Sequence, residues 1–178
     1  MANREALVFR SEVRPGHEPV EPDPISNFSR GEKRSRPRNL SLLGTKVVKL
    51  PDHADSRGCL IALDRDQSLP FDVRRVYCIY QGHAKSIRGE HATSAHCALV
   101  ALQGAVDVDL DNGQEQTSMR LSRSDQALCI HAGIWLRLRN FVDEAIVLVA
   151  ASRLYAESAY FDHPNPELLR SMPQARWR

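Results

Sequence analysis

Long apolar runs are missing from this 178-residue sequence. Nothing in it approaches the ~20 consecutive apolar residues of a membrane span. Its first residues, Met1 to Gly16, lack the apolar core of a secretory signal. The expectation is a cytoplasmic protein with no membrane partner. Strong net charge is missing too. Lys+Arg number 24 against Asp+Glu 22, a formal charge of +2, so nucleic acid is not an expected partner. Cysteine is sparse. Cys59, Cys78, Cys97 and Cys129 form no CxxC pair, and each sits in an apolar stretch. That pattern predicts buried, reduced thiols and neither a disulfide framework nor a zinc site. No apolar stretch of helical period and ~12 residues lies between the strand-like segments, which argues against a βαβ architecture. What remains is 42% hydrophobic and 26% charged residues, a soluble globular balance. A chain of this size forms one domain, or one domain with a tail, without disulfide or metal staples.

The sequence divides near residue 42. Half of its ten prolines (Pro15, Pro19, Pro22, Pro24 and Pro37) precede that point, as does the basic run Ser29 to Arg38. Residues 1–42 therefore read as a flexible or loosely docked N-terminal arm. The basic run is either a solvated tail or a contact for phosphates or a partner. Residues 43–178 read as the domain. Short strands are predicted over Lys46–Leu50, Cys59–Leu63, Arg75–Tyr80, Cys97–Leu102, Ala105–Leu110, Ala127–Ile130, Ile134–Arg139 and Ala145–Ala150. The continuous apolar run at Cys97–Leu102 suits a strand covered on both faces. Val106, Val108 and Leu110 alternate onto one face, and Asp111-Asn112-Gly113 then supplies a hairpin turn. Asn165 before Pro166 caps a short C-terminal helix. The fold class is all-β, a sandwich or barrel. A barrel of this size encloses one small-ligand cavity lined by every second residue of each strand.

The densest polar cluster runs from Ile87 to Cys97. In a strand, His91 and Thr93 share one face. Gly89 lets the backbone bend, and Arg88 brings a guanidinium suited to phosphate. A histidine in a strand is either a satisfied core residue or a catalyst, and this cluster leaves both open. The spacing His91-x-Thr93-x3-Cys97-x6-Gly104, followed by His131-x-Gly133-x2-Leu136-x3-Asn140, resembles the two cupin motifs. Thr93, Cys97 and Leu136 stand where that superfamily carries metal ligands. One imidazole does not hold a first-row metal, so no metal and no other cofactor is expected. His96 lies five residues from His91, which in a strand puts it on the opposite face.

Three further blocks narrow the resemblance: Asp55-Ser56-Arg57-Gly58, Pro70-Phe71-Asp72-Val73-Arg74-Arg75-Val76-Tyr77 and Arg88-Gly89-x-His91. With Ile134-Trp135 and Leu148–Tyr155, they resemble the sugar-nucleotide 3,4-ketoisomerases over roughly residues 45–162. The resemblance implies a cupin (double-stranded β-helix or jelly-roll) barrel. It implies an isomerase that converts a dTDP-4-keto-6-deoxyhexose to its 3-keto isomer by acid/base proton transfer through an enediol, in deoxysugar and polysaccharide (lipopolysaccharide) biosynthesis. His91 then matches the catalytic base and Tyr77 an active-site tyrosine. Arg57, Arg75, Arg88, Thr93 and Trp135 match substrate-binding positions, with Arg57 at a place linked to product configuration and Arg75 and Arg88 near the diphosphate. The family also implies a homodimer in which an N-terminal strand joins the partner's sheet. Thr93, Leu136, Ala156 and Ala159 depart from the family's usual residues. Two other outcomes are a non-catalytic nucleotide-sugar-binding cupin and a related epimerase. In each, the partner is a dTDP-linked sugar.

Overall fold

The computed structural model describes residues 42–64, 68–80 and 82–171. Among the described residues, ten strands run in order as β1 (Thr45–Lys49), β2 (Asp52–Asp55), β3 (Gly58–Ile61), β4 (Arg75–Ile79), β5 (Arg88–Thr93), β6 (Cys97–Asp111), β7 (Gln116–Leu121), β8 (Gln126–Ile130), β9 (Trp135–Ala151) and β10 (Tyr160–Phe161). A short α-helix, α1 (Pro166–Arg170), follows, as the sequence predicts. The Asn165 side chain accepts hydrogen bonds from the backbone N–H groups of Glu167 and Leu168 at its start. Among the described residues, no helix is long and apolar enough to cross a membrane.

Two long strands organise the rest. β6 and β9 pair antiparallel along almost their whole length, from Cys97 opposite Ala151 to Asp111 opposite Trp135. The sequence predicts two strands in each of these regions, whereas the structure runs each pair together through a bend. The register shifts between Ala101 and Asp107. Gly104 lies there at φ +63°, and a Cβ on it would sit 2.3 Å from the Val142 carbonyl oxygen. Asn140, Asp143 and Glu144 also adopt positive φ at this corner. Strand-like hydrophobicity lapses at such a bend while the ladder continues through bulges.

On one side of the bend the order is β1, β8, the first half of β6, the second half of β9, then β4. On the other it is β7, the second half of β6, the first half of β9, β5, then β10. The sheet thus folds on itself with its apolar residues inside. Leu99, Val106, Val108, Leu110, Leu128, Leu136, Leu138, Phe141, Val147 and Val149 form one buried cluster between the two halves. The alternate residues Ala98 and Val100 of β6 belong to a second cluster with Leu50, Leu69 and Phe71. The strand at Cys97 is accordingly covered on both faces. β2 and β3 stand apart as a two-stranded hairpin.

The cysteines correct one expectation. Cys97 and Cys129 are buried, but Cys59 and Cys78 are exposed. Apolar neighbours in sequence misled there, because Cys59 lies on the separate hairpin and Cys78 on a strand at the end of a sheet. The arm expected over residues 1–42 lies outside the described residues apart from Leu42, which is buried in the core.

Candidate active site

Cross-strand partners share a face, so the register says which side chains look inward. Arg75 and Tyr77 of β4 pair with Ala151 and Val149 of β9, both members of the central cluster. His91 of β5 pairs with Leu136, and Tyr160 of β10 pairs with Thr93. Two half-sheets therefore present polar side chains to each other at the edge of the apolar core. Between them lies an open cavity of about 640 Å³, lined by Arg75, Val76, Tyr77, His91, Tyr155 and Tyr160. That volume suits a small organic ligand.

His91 is shaped by the residues before it. Gly89 and Glu90 take φ +82° and +60°, and the register slips between Gly89 and His91. This bulge carries the His91 Nδ1 to 2.9 Å from the Gly89 carbonyl oxygen. A carbonyl only accepts, so the neutral ring carries its proton on Nδ1 and leaves Nε2 bare. The ring meets Tyr160 edge-on, with centroids 5.0 Å apart and planes at 77°.

Arg75 is boxed by aromatic rings. Its Cζ lies 4.9 Å from the Tyr77 centroid and 5.4 Å from that of Tyr155. Its Nε is buried with no hydrogen-bond partner among the described residues. Burial pushes the Tyr77 phenol up to about 12, against the opposing pull of Arg75. Tyr77 is therefore a protonated donor at neutral pH. Tyr155 and Tyr160 arrive on a short strap. Arg74 pairs with Glu157 at 2.5 Å, the Ser94 N–H donates to the Ala159 carbonyl, and the Ala159 N–H donates to the Ser94 hydroxyl.

Of the residues singled out in the sequence, the structure thus brings together Arg75, Tyr77 and His91. Arg88 pairs with Leu138 two positions upstream of the bulge and is exposed. Thr93 is buried, and its hydroxyl accepts from the Ala95 N–H at 3.2 Å, turning the chain out of β5. Arg57 lies at the tip of the β2–β3 hairpin, paired with Asp55, and lines a separate cavity with His53, Cys59 and Leu60. Trp135 pairs with Ala92, one residue out of phase with the inward Leu136. It lines a groove of about 720 Å³ with Asp109, Arg137, Arg139 and His163. The cations of that groove are already engaged: Asp109 accepts from both Arg137 and Arg139. The sequence did not single out Tyr155 and Tyr160 as site residues. Their only signal is the tyrosine spacing in the block Tyr155 to Tyr160, two turns of chain beyond the last long strand.

Cys97 stands where the cupin motif carries a glutamate. Burial pushes its thiol up to about 12, so it is protonated and a poor metal ligand. His96 packs against Phe71 and His131, with centroids 5.8 and 4.4 Å away, and does not line the His91 cavity. A bend at residues 94–95, and not strand alternation, carries it away.

The model of the family described as "FdtA: WxcM-like, C-terminal" matches residues 43–166. The chain is 31% identical over 116 residues to TDP-4-oxo-6-deoxy-alpha-D-glucose-3,4-oxoisomerase of Aneurinibacillus thermoaerophilus, covering 65% of this chain and 84% of that one. A 3,4-ketoisomerase structure from Helicobacter canadensis superposes with a TM-score of 0.64 at 32% identity, over 72% of this chain and 96% of the other. A mutant of the 3,4-ketoisomerase QdtA from Thermoanaerobacterium thermosaccharolyticum, in complex with TDP-4-keto-6-deoxyglucose, gives a TM-score of 0.65 at 28% identity, over 72% and 92% of the two chains.

Proposed function

The chain belongs to the FdtA family, WxcM-like C-terminal, and from that premise we propose that it is a TDP-sugar 3,4-ketoisomerase acting by proton transfer without a metal. The observation that carries this reading is the cavity that His91, its Nδ1 held by the Gly89 carbonyl, shares with Arg75 and the tyrosines Tyr77, Tyr155 and Tyr160.

The C4 ketone acidifies the C3 proton. The His91 Nε2 takes that proton, the C–H electron pair forms the C3=C4 double bond, and the C4 oxygen gains the charge. A phenol such as Tyr77, neutral and lining the cavity, donates to that oxygen. A proton then returns to C4, the O3 proton leaves, and C3 becomes the ketone. Imidazole suits both directions because it exchanges protons near neutral pH. Arg88, exposed beside the cavity's histidine strand, supplies charge for the diphosphate.

A second copy of the chain completes this reading. Among the described residues, β4 pairs only with β9, and its Val76 and Tyr77 are exposed beside the cavity. The β2–β3 hairpin pairs only with itself, and Asp52 to Leu60 are all exposed. A homodimer that exchanges this N-terminal hairpin would cover both surfaces and carry Arg57 toward a partner's cavity. The setting is a cytoplasmic deoxysugar pathway.

Proton NMR of TDP-4-keto-6-deoxyglucose incubated with the protein tests the activity. A 3-keto product should form, with solvent deuterium entering at the exchanging carbon. His91→Asn should lower turnover more than 10²-fold while TDP still raises the melting temperature. Stabilisation by TDP with no turnover in the native chain would favour the non-catalytic binder, and inversion at C3 or C5 the epimerase.

A further inference from the structure

We propose that the Tyr160 hydroxyl, which shares the His91 cavity with Tyr77, is a second hydrogen-bond donor to the oxygen that gains charge during proton transfer, which makes Tyr160 a catalytic residue of this chain. The inference deepens the ketoisomerase reading and rests on it.

Donor and acceptor bookkeeping leads to this role. A guanidinium only donates. Arg75, whose Cζ lies 4.9 Å from the Tyr77 centroid, therefore takes no proton from a phenol. Each phenol keeps one O–H proton to give away. Neither proton has a protein acceptor among the described residues, and both rings line the same cavity. Tyr77 comes from one half of the folded sheet and Tyr160 from the other. A planar enediolate lying between them would meet one donor from each side.

The placement relative to the base fits the chemistry. The abstracted proton sits on C3, and the oxygen that becomes negative sits on the adjacent carbon. Base and donor must therefore be immediate neighbours, and the His91 and Tyr160 rings are 5.0 Å apart. The position of Tyr160 is also fixed from several sides. Its strand pairs with β5 at Thr93, Ser94 holds the residue before it, and the Arg74–Glu157 ion pair ties down the preceding turn. Preorganised donors are effective because they need no rearrangement as charge develops.

The experiment compares the full-length native chain with Tyr160→Phe, which keeps the ring against His91 and removes only the hydroxyl. Steady-state kinetics with TDP-4-keto-6-deoxyglucose and calorimetric TDP binding are the readouts. The expected result is a kcat lowered by about 10²–10³-fold, the loss typical of one oxyanion donor. KM and TDP affinity should stay within about threefold. A kcat within threefold of native, or a loss carried wholly by KM, overturns the assignment and leaves the ketoisomerase reading standing. A native chain with no turnover overturns that reading, and this assignment with it. If Tyr160→Phe does not fold, 3,5-difluorotyrosine at position 160 preserves shape and acidifies the phenol. The alkaline limb of the kcat–pH profile should then move to lower pH, and an unmoved limb overturns the assignment.

Discussion

The His91 imidazole and the Gly89 carbonyl are joined by a hydrogen bond of 2.9 Å across a single bulged residue. The bond fixes both the tautomer and the direction of the ring. It exists because Gly89 adopts φ +82° and passes close to Leu136, the strand partner of His91. A Cβ at position 89 would lie 2.8 Å from the Leu136 carbonyl oxygen and 2.8 Å from its Cδ1. Gly89→Ala is therefore expected to cost about 1–3 kcal/mol of stability through backbone strain. It should also lower kcat at least tenfold, because a shift of the ring by about 1 Å spoils the transfer geometry. Denaturant unfolding and kinetics on the same preparation check both effects. A native kcat in a destabilised variant would show that the bulge does not aim the base.

The bend of β6 against β9 depends on Gly104 in the same way. A Cβ there would meet the carbonyl oxygens of Val142 and Asp143 at 2.3 and 2.7 Å and the Ala145 Cα at 2.9 Å. These are backbone atoms, which do not swing aside. Gly104→Ala is expected to cost about 3 kcal/mol or more, since added strain and overpacking act together. The corner lies away from the residues that line the His91 cavity. The folded fraction of the variant should thus turn over normally at low temperature. Thermal unfolding and an active-site titration would separate the two effects.

Acid should weaken the fold above the range where carboxylates titrate. Burial, helped by the charges of His131 and Arg153, lowers the His96 pKa to about 4 from an ordinary 6.5. Burial lowers His131 as well. A histidine with a depressed folded pKa is protonated more readily when unfolded. Its contribution is fully present above pH 6.5 and is lost as pH falls from 6.5 towards 4. The loss from His96 is on the order of 2 kcal/mol after discount for its partial exposure. The ring also accepts the Ala132 N–H at 3.1 Å through Nδ1, a bond that protonation removes. The melting temperature should fall across this window, and His96→Asn should flatten the fall. An unchanged slope in that variant would move the acid sensitivity elsewhere. Below pH 4, protonation of Asp109, held low by hydrogen bonds from Arg139 and Arg137, should add a separate loss.

The exchanged-hairpin dimer makes a prediction at β4. Val76 is 56% exposed on that strand. Val76→Arg places a charge where a partner's strand would dock, and it removes little from the chain's own core. Sedimentation velocity should show the native chain as a dimer and the variant as a monomer, with turnover reduced at least tenfold. A native chain that sediments as a monomer at micromolar concentration, with full activity, would dispose of the exchange.

Much of the fold was legible before any coordinates. Val106, Val108 and Leu110 alternate, and all three face the core. Asp111-Asn112-Gly113 turns the chain, with the Asn112 side chain accepting from the N–H groups of Gln114 and Glu115. Strand β7 was not legible. Gln116 to Leu121 carries polar residues on its exposed positions and only Met119 and Leu121 as apolar anchors, so its hydrophobic pattern is weak. The exposed Cys59 and Cys78 were misplaced for the opposite reason, since apolar neighbours mark a strand but not its cover.

Local sequence determined which residues are strands, turns and caps, and it singled out the bulged Arg88-Gly89-Glu90-His91 segment, because backbone conformation and period-two patterning act over a few residues. Only the folded sheet decided the company His91 keeps. Tyr77 and Tyr160 are separated by more than eighty positions in the chain and meet because β4 and β10 end opposite halves of one bent ladder. Arg57 and Trp135 carry side chains as plausible as those of Arg75, yet register and hairpin placement turn them to other surfaces of this chain. Such distances are set by how sheets bend and close, and no local pattern encodes them.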